Sequence, residues 1–299
     1  MVGESVKLDD FLARHRLPGS FASVVDEFYV PLARWLYERV SKADRGTFVL
    51  GINGAQGTGK TTLSNFLSEF LRHDYKMSVA ELSIDDIYLT RAERIHLAER
   101  VHPLLATRGV PGTHDVAFGK AVIDQLCALS AGESMTLPRF DKSVDDRSPV
   151  SGWPEVTGPI DLIIFEGWCV GSTALPVGEL ANPANRLEAE EDSDCRWRTY
   201  VNDQLATAYD ELFNAIDALV FLEAPGFEAI YRWRLDQERK LAKSVGADGV
   251  HVMDEASLVR FLQHYERITR HNFVTLRARA DVVFALDEDH AVKDAIYAG

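Results

Sequence analysis

Short apolar runs alternate with stretches of helical periodicity along most of this chain. The first run is Thr47-Phe-Val-Leu-Gly-Ile-Asn53, and it is followed by Leu63, Phe66, Leu67 and Phe70 at helical spacing. Four more runs lie at 78–84, 160–165, 218–222 and 280–286, and the last two each precede a helical pattern. Strands that alternate with helices imply βαβ units and a parallel sheet, with a ligand crevice beyond the carboxyl ends of the strands. Marked residues stand at those ends: the acid pair Asp85 and Asp86 after the second run, Glu166-Gly167 after the third. Residues 1–45 read as a helical segment packed on the domain that follows, with Leu32, Trp35, Leu36 and Val40 in helical register after Pro31, a residue well placed to open a helix. The domain proper is expected over 46–299, interrupted by polar insertions at 91–158 and 171–200. The second insertion carries the acidic run Glu188, Glu190, Glu191, Asp192 and Asp194, which reads as a solvated surface.

Composition narrows the function classes. The chain has 299 residues, with 32 Lys plus Arg against 46 Asp plus Glu and a formal charge of −14. That balance argues against nucleic acid as a partner, because phosphate backbones reward clustered positive charge. Cys127, Cys169 and Cys195 form an odd set without CxxC spacing, so neither a zinc site nor a disulfide framework is expected. The first residues lack the basic and apolar regions of an export signal, and no apolar stretch is long enough for a bilayer, so a cytoplasmic protein away from membranes is expected. No protein partner is implied.

The strongest chemical signal is Gly54-Ala55-Gln56-Gly57-Thr58-Gly59-Lys60-Thr61, which satisfies G-x-x-x-x-G-K-[ST] with a strand before it and a helix, starting near Lys60 and Thr62, after it. The glycines let successive N–H groups point inward at a phosphate, and the helix adds its positive end. Lys60 supplies a mobile charge to the β/γ-phosphates, and the Thr61 hydroxyl is a hard oxygen ligand for Mg²⁺. ATP and Mg²⁺ are therefore the expected cofactors. No guanine-reading Asn-Lys-x-Asp and no Leu-Ser-Gly-Gly-Gln is present, which leaves a small P-loop domain with acids placed for phosphoryl transfer to a hydroxyl.

Further blocks occur in a fixed order: Ser83-Ile-Asp85-Asp86-Ile-Tyr88-Leu-Thr90, Arg108-Gly-Val-Pro-Gly-Thr-His114-Asp115, Pro138-Arg139-Phe-Asp-Lys142-Ser143 with Asp146-Arg147, Trp153-Pro-Glu-Val, and Phe165-Glu166-Gly-Trp168. Together they resemble the plant and fungal type D-glycerate 3-kinases, a branch of the phosphoribulokinase, uridine kinase and pantothenate kinase superfamily. The resemblance runs from about residue 47 to the final strand. It implies a P-loop NTPase-type sheet, with the acceptor region in insertion 91–158 and a lid with further helices over 225–275. Asp85 matches the superfamily's general base toward the acceptor hydroxyl, and Asp86 is the neighbour typical of this branch. Glu166 stands at the Walker-B-like position, where with Thr61 and Asp85 it would hold the metal.

Glycerate is a small carboxylate, so its site needs a cation, and arginine offers two parallel donors. Arg108, Arg139, Lys142 and Arg147 are the candidates, with Arg147 first and Arg108 second; Asp86, Tyr88 and His114 complete the expected acceptor set. His114-Asp115 either orients the acceptor or caps the helix beginning at Val116. In the segment resembling the lid, Arg232, Arg234 and Arg239 cannot all face one way on a helix, so either the 232 and 239 face or Arg234 alone reaches the ATP phosphates. Tyr265-Glu-Arg-Ile-Thr-Arg270 matches a further pattern of the branch without a role that its chemistry defines. The expected activity is phosphorylation of a small hydroxylated metabolite, D-glycerate first. A pantothenate or nucleoside acceptor is the alternative among enzymes, and a nucleotide-binding regulator without catalysis the alternative outside them.

Overall fold

The computed structural model describes residues 8–43, 46–244 and 253–298, with the backbone alone for 240–244. The remaining parts of the expected N-terminal segment (1–7 and 44–45), of the lid stretch (245–252) and of the C-terminus (299) lie outside the described residues. In chain order the helices are α1 (Leu8–Arg14), α2 (Phe21–Val24), α3 (Val30–Lys42), α4 (Lys60–Asp74), α5 (Arg91–Arg100), α6 (Val116–Ala128), α7 (Arg186–Glu191), α8 (Arg196–Ala206), α9 (Ala208–Phe213), α10 (Phe227–Ser244) and α11 (Glu255–Arg279). The strands are β1 (Phe48–Gly54), β2 (Val79–Ser83), β3 (Ser134–Thr136), β4 (Phe140–Asp141), β5 (Asp146–Arg147), β6 (Glu155–Thr157), β7 (Leu162–Gly167), β8 (Ala218–Glu223), β9 (Val282–Leu286) and β10 (Val292–Tyr297).

Six strands form the main sheet in the order β10-β9-β8-β1-β7-β2. Every neighbouring pair is parallel except β9 and β10, which are antiparallel. The fifth apolar run was expected to lead into a helix; it turns back instead through Asp287–Ala291 and closes the sheet with an antiparallel strand that exposes Lys293, Asp294 and Ile296. The insertion at 91–158 is also more ordered than its polarity suggested: it holds α5, α6 and two small antiparallel pairs, β3 with β6 and β4 with β5.

The central strand is buried along its whole length, and its alternation divides the core. Phe48, Leu50 and Ile52 face one layer with Leu63, Phe66 and Leu67 of α4, while Val49 joins Ala80, Leu82, Ile163 and Phe165 on the other. Phe11, Tyr29, Leu32 and Leu36 of the N-terminal helices belong to the first layer, where Phe66 meets Phe11 at 5.6 Å and Tyr29 at 5.5 Å between ring centroids. Pro31 does not open a helix there. The helix runs on from Phe21, and a π-helical stretch at Val25–Tyr29 widens the turn just before the proline. A wider turn accommodates a ring that would otherwise clash with the carbonyl one turn back.

The acidic run departs from the expected solvated surface. Glu188 is buried and paired with Arg267 at 2.5 Å, and Asp192 is buried against Arg198 at 2.9 Å, so two of its five acids are internal ion pairs. Among the described residues no helix is long and apolar enough to cross a membrane.

The shared core makes Phe66→Ala a direct probe. Its ring is removed from between the N-terminal helices and α4, so the variant is expected to lose about 3–5 kcal/mol in chemical denaturation. A loss below about 1 kcal/mol would mean that the N-terminal helices do not share the core.

Candidate active site

At the carboxyl end of β1 the chain turns sharply before α4. Gly57 and Gly59 take φ of +87° and +91°, and Gly59 caps the helix in a left-handed conformation, which side chains resist. Gly54 is needed for space: a Cβ there would lie 2.5 Å from Thr58 Oγ1 and 3.1 Å from Leu222 Cβ. Thr58 donates to Ala55 O at 2.9 Å, tightening the loop, and Lys60 Nζ donates to the same carbonyl at 3.1 Å. The buried Asn53 side chain donates to Val170 O at 2.7 Å and ties the end of β1 to the segment after β7. Gln237 and Trp233 of α10 lie over the loop at Gly57. Thr61 is exposed on the first turn of α4, with Thr62 beside it.

The acids stand on the two strands beside β1. Parallel register sets Glu166 of β7 between Ile52 of β1 and Ser83 of β2. After Ser83 the chain makes a short 3-10 turn in which Ser83 accepts from Asp85 N and Asp86 accepts from Ser83 N, a reciprocal cap that aims Asp85 into the crevice. Asp85 Oδ1 accepts from the Tyr88 hydroxyl at 2.7 Å, and Oδ2 accepts from Lys142 Nζ at 2.5 Å.

Together these groups line a cleft of 940 Å³ whose walls include Gln56, Lys60, Ser83, Asp85, Arg108, Lys142, Glu166 and Arg234. Burial pushes Lys60 below its ordinary range, opposed by the charges of Glu166 and Asp85. Burial pushes Glu166 up, with Lys60 pulling it back. Burial would also raise Asp85, but the charge and hydrogen bond of Lys142 and the Tyr88 phenol outweigh it and hold that carboxyl below its usual range.

The expected arginines divide. Arg108 lines the cleft; its guanidinium pairs with Asp145, which also holds the fully buried Arg94 at 2.9 Å. Arg234 lines it too, steadied by Gln237 at 2.8 Å and Glu238 at 2.7 Å. Arg232 is paired with Glu288 and Arg239 with Asp236, so the structure brings Arg234 alone of the three to the cleft and leaves the 232 and 239 face outside it.

Arg147, the first choice for the acceptor, lies outside the cleft lining: it donates to Tyr88 O at 3.2 Å and Asp115 at 3.4 Å and sits 4.8 Å over the Phe118 ring. Arg139 is likewise spent on Asp86 at 3.3 Å and on Pro138 O at 2.7 Å, and Asp86 in turn serves the Ser83 cap. His114 is buried behind Tyr88, stacked on it at 4.5 Å, with Nδ1 2.5 Å from the Tyr209 hydroxyl. Asp115 caps α6 through Phe118 N at 3.0 Å. These residues support the walls of the cleft without lining it.

Three contributors escaped the sequence reading. Asp145 joins Arg94 to Arg108 across 51 and 37 residues. Tyr265 and Trp168 line the cleft edge-to-face at 4.8 Å; Trp168 donates to Gly109 O at 2.8 Å and Tyr265 to Arg108 O at 3.3 Å. Gly109, at φ +136°, has Tyr265 Oη 2.1 Å from where a Cβ would stand. The Arg108-Gly109 and Tyr265 blocks were both visible as motifs, but nothing local said that they meet.

Burial pushes His114 down to about 3, so its imidazole is neutral across the physiological range. Because the folded value lies below the unfolded one, the stability that depends on neutral His114 is complete above about pH 6.5 and is lost as pH falls toward 3. Imidazole NMR shifts of His114 are expected to stay constant from pH 8 to pH 5; a midpoint above pH 5 would place the ring in a solvated or ion-paired setting.

No family model matches the chain. It is 35% identical over 241 residues to the "uncharacterized kinase mug58" of Schizosaccharomyces pombe, covering 76% of this chain and 82% of that protein. It is 31% identical over 283 residues to the chloroplastic D-glycerate 3-kinase of Arabidopsis thaliana, covering 88% of this chain and 59% of the plant protein. A pantothenate kinase of Streptococcus suis matches at 26% identity over 84% of this chain and 72% of its own length. Among solved structures, a D-glycerate 3-kinase from Cryptococcus neoformans superposes with a TM-score of 0.71 at 24% sequence identity, covering 90% of this chain and 99% of that one, a likeness of fold. With the phosphate loop, the strand-end acids and these relatives in one frame, the chain belongs to the same family of ATP-dependent P-loop kinases as the mug58 kinase.

Proposed function

We propose that this kinase transfers the γ-phosphoryl group of ATP to a hydroxyl of D-glycerate, giving 3-phosphoglycerate. The observation that carries this reading is a strand-end carboxylate that shares its cleft with acceptor-region cations: Lys142 is bonded to Asp85, and Arg108, paired with Asp145, lines the same cleft. An anionic acceptor brought beside ATP adds to a large local negative charge, and those cations offset it inside a protein whose overall balance is −14. The plant relative's activity supports the same choice of acceptor.

In this reading the loop N–H groups, Lys60 and Arg234 hold the transferring phosphoryl group, and Asp85 accepts the hydroxyl's proton. The Thr61 hydroxyl and the Glu166 carboxylate are hard oxygen donors of the kind Mg²⁺ selects, and they are the residues that would hold it. Asp85, expected as a third ligand, has both oxygens engaged by Tyr88 and Lys142. Bound there, Mg²⁺ would supply charge neutralisation at the phosphates.

A coupled ADP-release assay over hydroxy acids, nucleosides and pantothenate tests the acceptor. D-glycerate is expected to have the highest kcat/KM; a nucleoside or pantothenate in first place would overturn the glycerate assignment while leaving the kinase in place. Asp85→Asn keeps the shape of the base and removes its capacity to take a proton, so kcat is expected to fall by roughly two to four orders of magnitude with KM for ATP within a few-fold. Lys60→Ala is expected to abolish turnover with a thermal midpoint close to wild type; retained turnover would dismiss the phosphate-loop assignment.

A further inference from the structure

In this structure neither oxygen of Asp85 is without a donor. Oδ1 holds the Tyr88 hydroxyl and Oδ2 holds the Lys142 ammonium. A base must clear one oxygen before it can take a proton from an acceptor. Tyr88 cannot leave: it is buried, stacked on His114 and edge-on to Phe140 at 5.2 Å. Lys142 can. It sits just past β4, in the turn that joins β4 to β5, strands of two residues each, and its side chain is 59% exposed.

The other cations of the cleft have duties that keep them in place. Lys60 is the phosphate-loop lysine, and Arg234 is braced by Glu238 and Gln237. Arg108 is tied to Asp145, and Asp145 is the only acid paired with the buried Arg94 among the described residues, so breaking that pair would leave a buried charge uncompensated. Lys142 is the cleft cation whose present partner is the base itself.

We propose that Lys142 is the specificity-determining residue of this kinase, exchanging Asp85 for the carboxylate of the acceptor, so that the base is cleared when an anionic acceptor arrives. The inference rests on the D-glycerate reading for the identity of the anion. An acceptor carboxylate draws the ammonium away, and Oδ2 then faces the acceptor hydroxyl. The O–H bond breaks with its proton going to Asp85, the oxygen bonds to the γ-phosphorus, and the bridging P–O bond breaks with its electron pair leaving on ADP. Glycerol, which has the hydroxyls but no carboxylate, leaves Lys142 on Asp85. Water does the same, so the pair also restrains idle hydrolysis of ATP. The arrangement uses a charge to report that the correct acceptor is in place, as binding-coupled assembly of a site does in other enzymes.

Lys142→Met keeps length and removes charge, and Lys142→Gln serves as a second variant; both are checked for a thermal midpoint near wild type. Three rates are compared with wild type: turnover of D-glycerate, turnover of glycerol, and ATP hydrolysis with no acceptor. Both variants are expected to lose at least fiftyfold in kcat/KM for D-glycerate while glycerol turnover and acceptor-free hydrolysis each rise about three- to tenfold, with KM for ATP within twofold. The opposite directions are the signature. Glycerol turnover and hydrolysis that stay level or fall would make Lys142 a plain carboxylate clamp or a structural residue and overturn the exchange. A rise in KM for ATP as the main effect would place Lys142 on the nucleotide and overturn it equally. A wild type that ignores glycerate would defeat the acceptor assignment alone, because acceptor-free hydrolysis in the variants still reads the exchange.

Discussion

Four side chains, Lys60, Asp85, Lys142 and Glu166, share a cleft at the carboxyl ends of three parallel strands, where a lone charge would be expensive. Their mutual compensation is the constraint on which the rest of the molecule depends. Burial alone would neutralise Lys60, Glu166 and Asp85; opposite charges near each work against that. An ammonium and carboxylates kept close to one another suit a site through which a highly charged phosphoryl group must pass. The fold supplies the closeness: β7 lies between β1 and β2, so residues distant in sequence are fixed side by side by register.

The surrounding shell holds these groups in place. Trp233 of α10 donates to Glu288 O at 2.8 Å and lies 4.0 Å from the His290 ring, whose Nδ1 is 3.2 Å from Gly57 O. The turn between β9 and β10 is thereby joined to both the phosphate loop and the helix that carries Arg234. On the acceptor side, Gly109 admits Tyr265 against the backbone beside Arg108, and Trp168 closes the same corner. Behind Asp85, Tyr88 stacked on His114, with Tyr209 edge-on to the imidazole, forms a buried wall. A buried wall on one oxygen of the base and a solvent-exposed lysine on the other is the asymmetry that the cleft's chemistry can use.

How much of this was legible in the sequence follows from the range of the forces involved. The phosphate loop was readable because its geometry is local: glycines at 54, 57 and 59, a preceding strand and a following helix are written in one unbroken stretch of the chain, residues 48–74. Glu166 was readable because an acid at the end of an apolar run has few packing reasons to be there, and Asp85 because the phosphate loop and the family pattern gave a strand-end acid a use beyond turning the chain. The choice among arginines was not readable. Arg147 turned to Asp115 and Arg139 to Asp86, while Arg108 stayed in the cleft, and each outcome rests on pairings 32–53 residues apart through a two-residue hairpin with almost no pattern of its own. The acidic run misled for the same reason, since Glu188 and Asp192 are buried only because Arg267 and Arg198 meet them there. Pro31 and β10 show the limits of local rules: a π turn absorbed the proline, and the last apolar run folded back as a hairpin.

The most direct measurement of the account is a crystal structure of the enzyme with a non-hydrolysable ATP analogue, Mg²⁺ and D-glycerate. The account predicts the triphosphate on the loop at Gly54–Thr61, the glycerate hydroxyl against Asp85, and the glycerate carboxylate against Lys142, with Arg108 still on Asp145. Glycerate seated away from Asp85, or Lys142 still on Asp85 with the acceptor bound, would contradict it.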